Sequence, residues 1–437
     1  MVSLDRESTT PWRELLAGIT TFASMAYILV VNPDMLALTG MNHAALVTAT
    51  ALSAAVGSLL MAFSTNYPIA LAPGMGLNAF FTFTLCGQLE LPWQGALSMV
   101  FWSGILFLVL SLTRFREEIL HAIPSPLRIG IQAGIGLFII MIGLKNLGLI
   151  DDPKPGWMAL RFQSPESWIP LVLGFAGLLL ALVLFRLRIA GALLLTIILV
   201  TLAGAWISID GAAITKKPES IVAMPPSLAP IGWQIDWLYP FRHWETVWIA
   251  FATLLFVDLF DSIGTLIGVG RQANLNDESG ELPRLKQALA SDAAATAIGA
   301  CLGSSTTTAY IESATGVRAG GRTGWTAITV AACFLLALFF YPLIAVAPGA
   351  AVVPALLLVG GLMMKSLVDL KKEDWQSQIG ALTIVLAIPL KFQIAEGIAT
   401  GLVVYTVLMI ASRRARELHW ILLTLSLLFA LHLAFAR

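Results

Sequence analysis

Two aspartates three residues apart, Asp258 and Asp261, stand in the stretch Leu254-Leu-Phe-Val-Asp-Leu-Phe-Asp-Ser-Ile-Gly-Thr-Leu266, and Glu312 stands in Thr306-Thr-Thr-Ala-Tyr-Ile-Glu-Ser-Ala-Thr-Gly-Val317. Both stretches are otherwise apolar enough to lie within a membrane. An acidic side chain at mid-membrane costs roughly 2.5–3.5 kcal/mol on insertion scales, so three of them are expected to be paired, protonated or solvated in a polar cavity. There they can accept N–H donors from a small ligand or carry a proton. A spacing of three puts Asp258 and Asp261 on one helical face. Asn78, in Ala72-Pro-Gly-Met-Gly-Leu-Asn-Ala-Phe-Phe81, adds an amide that both donates and accepts. Tyr27, Phe80 and Tyr310 offer faces on which a planar ligand could stack, and Thr308 offers a hydroxyl.

Each of these side chains also has a purely structural use. The carboxylates could bond Ser262, Thr265 or the free amides of interrupted helices, and a buried Asn often caps nearby backbone. Asp292 is equally suited to a structural partnership and to function. Cys86, Cys301 and Cys333 lie far apart in apolar surroundings, without the spacing of a disulfide framework or a zinc site. No His-Glu-x-x-His, Gly-x-Ser-x-Gly or phosphate-cradling Gly-Lys-Ser/Thr motif occurs, which argues against an enzyme.

The elements that must position these residues follow from composition. The chain has 437 residues, 58% hydrophobic and 12% charged, with a mean hydropathy of +0.84. That excludes a soluble domain and predicts an all-α polytopic membrane protein. Its 26 Lys+Arg balance 26 Asp+Glu, so no basic field points to nucleic acid. About 20 apolar residues per span place seven segments before the Pro-rich insert 210–244 and seven after it, with a last apolar run at 419–435 that either spans or lies at the interface. An odd number of crossings per half gives the halves opposite topology, a seven-plus-seven inverted repeat. With the amino end cytoplasmic, Arg13, Arg128, Arg188, Arg271, Arg318 and Arg414 fall inside, and the fewer outside cations include Lys145, Lys216, Arg242 and Lys391. No removable signal peptide is expected.

Segments three and ten cannot be regular helices. Pro68, Pro73, Gly74 and Gly76 interrupt the third, predicting an extended stretch and then a half-helix that begins near Pro73 and carries Asn78. Thr306, Thr307 and Thr308 favour extended chain in the tenth, so Glu312 falls near a second buried helix start. Broken helices in corresponding positions of two halves point to a midplane ligand site. An offset of 234 residues carries Ser24 to Asp258, Tyr27 to Asp261 and Asn78 to Glu312.

These stretches, with Thr20-Thr-Phe-Ala-Ser-Met-Ala-Tyr-Ile-Leu-Val-Val-Asn-Pro33 and Gly320-Gly-Arg-Thr-Gly324, resemble the AzgA-like purine permeases of the nucleobase:cation symporter-2 (xanthine/uracil permease) family along nearly the whole chain. The resemblance implies a core domain (1–113 and 245–346), a gate domain (114–209 and 347–437) and an extracytoplasmic loop (210–244). It implies a proton-coupled purine symporter of the guanine/hypoxanthine type, in a bacterial inner membrane, with protons as coupling ion and no other cofactor. By the same resemblance Asn78, Asp258 and Glu312 bind the base, with Tyr27, Phe80 and Thr308 around it, and Asp261 or Glu312 handles the proton. An adenine permease of the same family is the alternative, and an anion exchanger of related fold a more distant one. A homodimer is compatible with this architecture.

Overall fold

The computed structural model describes residues 9–113, 122–150, 168–209, 212–275 and 282–435. The boundaries drawn at 114 and 210 and the first eight residues lie outside the described residues. Helix α1 (Pro11–Met25) opens on a Thr10 cap and gives way to α2 (Ile28–Ala37) across Ala26 and Tyr27. Neither Gly nor Pro marks that break. The Thr20 and Ser24 hydroxyls turn back on the carbonyls of Leu16 (2.7 Å) and Thr20 (2.9 Å), a pattern that bends helices, and the bend delivers Tyr27 to the interior. After α3 (His43–Thr65), capped by Asn42 at one end and by left-handed Asn66 at the other, the chain runs extended into β1 (Leu71–Pro73).

The half-helix starts later than the sequence suggests. Pro73 is the last strand residue, and α4 (Met75–Ala79) begins two residues on, because the Gly74 amide is first committed to Thr306 O (2.9 Å). From Phe80 to Gln88 the helix widens to π geometry, an infrequent form that the apolar run does not announce. The first half continues with α5 (Trp93–Leu112), α6 (Ser125–Asn146), α7 (Trp168–Arg186) and α8 (Ala192–Gly204). A small hairpin, β2 (Ser208–Ile209) and β3 (Ala212–Ala213), opens the connecting loop. That loop docks through Thr48 onto Pro226 O, Ala223 N onto Phe339 O and Trp102 Nε1 onto Trp237 O.

The second half comprises α9 (Tyr239–Arg242), α10 (Trp244–Gln272), α11 (Leu285–Leu302), β4 (Thr307–Ala309), α12 (Ser313–Arg318), α13 (Gly324–Ala337), α14 (Tyr341–Ile344), α15 (Gly349–Met364), α16 (Trp375–Lys391) and α17 (Ile394–Ala411), followed by α18 (Trp420–Phe435) packed on α17. Among the described residues nine helical stretches are long and apolar enough to cross a membrane. The five other predicted segments are the two interrupted ones and the shorter or more polar helices α8, α11 and α16.

Packing follows the expected symmetry. In chain order α3 corresponds to α11, α5 to α13, α6 to α15 and α7 to α16. Contact of α3 with α13 is matched by α11 with α5, and contact of α6 with α16 by α15 with α7. One bundle therefore gathers α1, α3, α5, α10, α11 and α13 around the crossing strands, and a second gathers α6, α7, α8, α15, α16 and α17. The exposed apolar side chains of α7, including Val172, Leu179 and Val183, face where lipid would lie.

At the centre β1 and β4 pair antiparallel, Leu71 with Ala309, Ala72 with Thr308 and Pro73 with Thr307. The bonds Gly74 N to Thr306 O and Tyr310 N to Ala70 O extend the ladder symmetrically. The local two-fold thus carries Ala72 onto Thr308 and Gly74 onto Tyr310, an offset of 236 in place of 234. On this axis Glu312 answers to Gly76, and Asn78 to Ala314.

Candidate ligand site between the bundles

The strand crossing is fixed from behind by polar side chains of α10 and α11. Asp292 on α11 accepts from the Ala309 amide (2.8 Å) and from Ser262 Oγ on α10 (2.5 Å), and Ser262 also lies 3.0 Å from Thr308 Oγ1. Thr296 Oγ1 accepts from the Thr307 amide (3.3 Å) and lies 3.0 Å from Thr307 O and 3.3 Å from Asp258 Oδ2. Thr308 is therefore part of the scaffold: paired through its backbone to Ala72 and through its hydroxyl to Ser262, it is buried.

Asp258 and Asp261 do not share surroundings. Three residues turn a helix through about 300°, leaving about 60° between the side chains. That angle is enough to turn Asp258 inward against Thr296, fully buried with Oδ1 unpartnered among the described residues, while Asp261 lines a cavity between the two bundles. This cavity, of about 390 Å³, is walled on one side by Gly76, Leu77, Val257, Phe260, Asp261, Gly264, Thr265 and Ile311. The α6 residues Ser125, Arg128, Ile129, Ile131, Gln132 and Ile135, with Met363, form the other side. Its volume suits a small planar ligand.

Glu312, next to the cavity-lining Ile311, precedes α12 but does not cap it with its side chain. Its Oε1 accepts from Tyr27 Oη at 2.8 Å. Tyr27 is thus a hydrogen-bond partner of the acid, buried and without a face open for stacking. Phe80 is buried in the apolar core at the start of the π-helix and does not line this cavity. Tyr310 donates to Pro73 O at 2.6 Å and buttresses the crossing. Asn78 is buried in α4, where its Oδ1 accepts from Ser305 Oγ and its Nδ2 finds no partner among the described residues. Of the expected site residues, the structure brings Asp261 to the cavity wall, gathers Asn78, Asp258, Glu312, Tyr27 and Thr308 around the crossing strands behind or beside it, and leaves Phe80 in the apolar core.

Nothing in the sequence marks Thr296, Ser305 and Arg128 as site residues, and Ser262 enters there only as a structural partner for a carboxylate. Hydroxyl residues are common in apolar helices, and Arg128 reads as one more cation on the cytoplasmic side; their roles follow only from which faces meet. Farther along α6, beyond the cavity, the bundles touch through Phe138, Phe83 of the π-helix and Phe392. The ring centres lie 4.8 Å (Phe138 to Phe392), 6.0 Å (Phe83 to Phe138) and 6.1 Å (Phe83 to Phe392) apart, and Gln88 Nε2 donates to Phe392 O. Ser125 and Ile311, at the other end, are exposed. Among the described residues no group of three or more His, Cys, Asp or Glu is arranged to hold a metal ion.

A central strand crossing, two short helices leaving it in opposite directions and a cavity bearing one acid against a second bundle form a transporter-like arrangement. Residues 13–400 match the Xan_ur_permease family, a permease family. The chain belongs to this xanthine/uracil permease family. The adenine permease AdeP of Escherichia coli (strain K12) is 40% identical over 432 residues, covering 99% of this chain and 95% of that one. The guanine/hypoxanthine permease PbuG of Bacillus subtilis (strain 168) is 39% identical over 443 residues, covering 99% and 98%. Among solved structures, the transmembrane domain of the cyanobacterial bicarbonate transporter BicA superposes with a TM-score of 0.67 at 13% identity, covering 90% of this chain and 98% of that one. At that identity the likeness concerns the fold alone, and that fold is the seven-plus-seven inverted repeat. This xanthine/uracil-family chain is accordingly a multi-pass nucleobase permease, and its family is one of transporters, not of enzymes.

Proposed function

We propose that this permease is a proton-coupled symporter that imports purine bases, hypoxanthine and guanine before adenine, by alternating access. The observation that carries this reading is the inter-bundle cavity of about 390 Å³ with Asp261 in its wall and the Glu312–Tyr27 pair beside it. Carboxylates accept; hypoxanthine offers N1–H, guanine offers N1–H and a 2-amino group side by side, and adenine presents a bare N1 that would need a protonated partner. Identity to an adenine permease and to a guanine/hypoxanthine permease is nearly equal, so the preference rests on the acids and not on the relatives.

In this mechanism Glu312, oriented by Tyr27, bonds the base, Asn78 and the α4 amides serve its other edge, and Asp258 backs the site through Thr296. Asp261 carries the proton. The first bundle is the moving core and the second the gate. With the amino end cytoplasmic, the exposed mouth at Ser125 and Ile311 faces inward and the Phe83, Phe138 and Phe392 contact closes the outside, so the conformation is inward-facing. The localisation that follows is a bacterial inner membrane.

The test is uptake of tritiated hypoxanthine by cells lacking their own purine transporters, with and without a protonophore. Accumulation abolished by the protonophore and competed by guanine more strongly than by adenine is the expected result. Uptake indifferent to the protonophore would refute proton coupling, stronger competition by adenine would reverse the preference, and no uptake of any purine would remove the substrate class.

A further inference from the structure

Arg128 is the only cation in the cavity wall among the described residues, and the proposed mechanism leaves it unused. It projects from the first turn of α6, in the second bundle, so that its guanidinium carbon lies 5.7 Å from the centre of the Phe260 ring on α10. Its Nε is buried and has no hydrogen-bond partner among the described residues. An arginine held over an aromatic ring in a ligand-sized space, with a donor unspent and Asp261 also in the wall, is half of a recognition fork.

The facing charges define what fits between them. A ligand that turns donors toward the acids of the first bundle leaves an adjoining edge free to face α6, and acceptors on that edge would meet the guanidinium there. The edge of an oxopurine remote from its 2-position presents O6 and N7 side by side, spaced for two parallel N–H donors of one arginine. Adenine has N7 at that edge but an amino group in place of O6, so one of the two donors meets another donor.

We propose that Arg128 is a substrate-contacting, specificity-determining residue that donates from its guanidinium to O6 and N7 of an oxopurine while Phe260 holds the guanidinium in plane. The proposal rests on the purine-transport reading above and adds to it a ligand contact from the gate bundle. Since Asp261 and Arg128 belong to different bundles, a base bridging them draws the gate onto the core, which ties occupancy of the site to the relative position of the two.

The experiment measures the competition of unlabelled hypoxanthine, 7-deazahypoxanthine and adenine against tritiated hypoxanthine uptake in wild type, Arg128→Gln and Arg128→Lys, with membrane levels determined by immunoblot. In wild type, replacing N7 by CH is expected to weaken competition about tenfold. In Arg128→Gln, hypoxanthine itself weakens about tenfold or more, the hypoxanthine to 7-deazahypoxanthine ratio falls toward one, and the margin over adenine narrows. Arg128→Lys keeps the charge but not the fork and is expected to show the same fall in the ratio, so it decides the matter if the Gln variant fails to reach the membrane. An unchanged ratio in a variant present at wild-type level overturns the contact. A wild type that takes up no purine removes the functional reading first, and that outcome is visible before any variant is compared.

Discussion

Asp292 is where a structural and a functional carboxylate can be told apart. It is fully buried on α11, accepting from the Ala309 amide at 2.8 Å and from Ser262 Oγ at 2.5 Å, and so ties β4 and α10 to α11 at the strand crossing. Asp292→Asn removes the charge but keeps an oxygen for the Ala309 amide, and its new N–H can donate to Ser262, whose hydroxyl is free to turn to Thr308 at 3.0 Å. Asp292→Ala also removes the charge but strands the buried Ala309 amide. The two variants therefore differ by one buried, unsatisfied donor, about 1–3 kcal/mol, with a further loss for the small void. Thermal unfolding of purified protein in detergent should rank wild type and the Asn variant close together and the Ala variant clearly below. Uptake should persist in Asp292→Asn. Loss of uptake in a well-folded Asn variant would show that the proton-binding capacity of Asp292 is used in transport, and an Ala variant as stable as the Asn one would refute the role assigned to the Ala309 bond.

Asp261→Asn is expected to abolish protonophore-sensitive accumulation while leaving counterflow exchange of preloaded hypoxanthine; loss of both would argue that Asp261 serves binding more than coupling. Tyr27→Phe deletes the 2.8 Å bond to Glu312, a charge-assisted bond worth about 1.5–3 kcal/mol, and should raise the KM for hypoxanthine about tenfold or more at an unchanged membrane level. A KM that stays put would detach Glu312 from the ligand. Gly316→Ala places a Cβ 2.0 Å from Thr21 Oγ1 and 2.6 Å from Ala17 O, so the α12 to α1 contact must open, at a cost of roughly 1–3 kcal/mol read as a lower Tm. Gly264→Ala meets nothing within 4 Å and should leave the Tm unchanged or higher, yet it adds a methyl to the ligand cavity and should lower uptake, a separation of stability from activity that one pair of measurements reveals.

Much of this architecture was legible because membranes restrict backbone so severely. Pro68, Pro73, Gly74 and the Thr306–Thr308 run cannot continue a helix, and unpaired backbone in hydrocarbon must find a partner; two such stretches in corresponding positions had to satisfy each other, as β1 and β4 do. Less legible were the features that depend on which neighbour a residue meets. The Tyr27 hydroxyl finds Glu312 across 285 positions of sequence, through a bend made by Ser24 and Thr20 that carries no Gly or Pro signal. Spacing of three between Asp258 and Asp261 implied one shared face, but about 60° of helical rotation was enough to separate a cavity wall from a buried interface. The π-helix of Phe80–Gln88 left no periodic trace, and Phe80 was drawn into the core with it.

The symmetry of the crossing and the asymmetry of the site have one origin. An axis through Ala72 and Thr308 relates Gly74 to Tyr310 and Gly76 to Glu312, so these two residues of the second half each answer to a glycine of the first. The glycines are required where they stand. A Cβ on Gly74 would lie 2.8 Å from Thr308 Cγ2, and one on Gly76 would lie 2.9 Å from Ile135 Cγ2 of α6, in the space between the bundles. A side chain matching Tyr310 at Gly74 would therefore press on β4, and one matching Glu312 at Gly76 would fill the cavity and push the bundles apart. Glycine in one half keeps the space open, while tyrosine and glutamate in the other brace the crossing at Pro73 O and present a carboxylate beside it. An inverted repeat with identical halves would place two acids or none about this axis. Divergence at these two pairs converts a symmetric fold into a site with an acidic side and an open side, the arrangement that a planar ligand with donors on one edge and acceptors on the other requires.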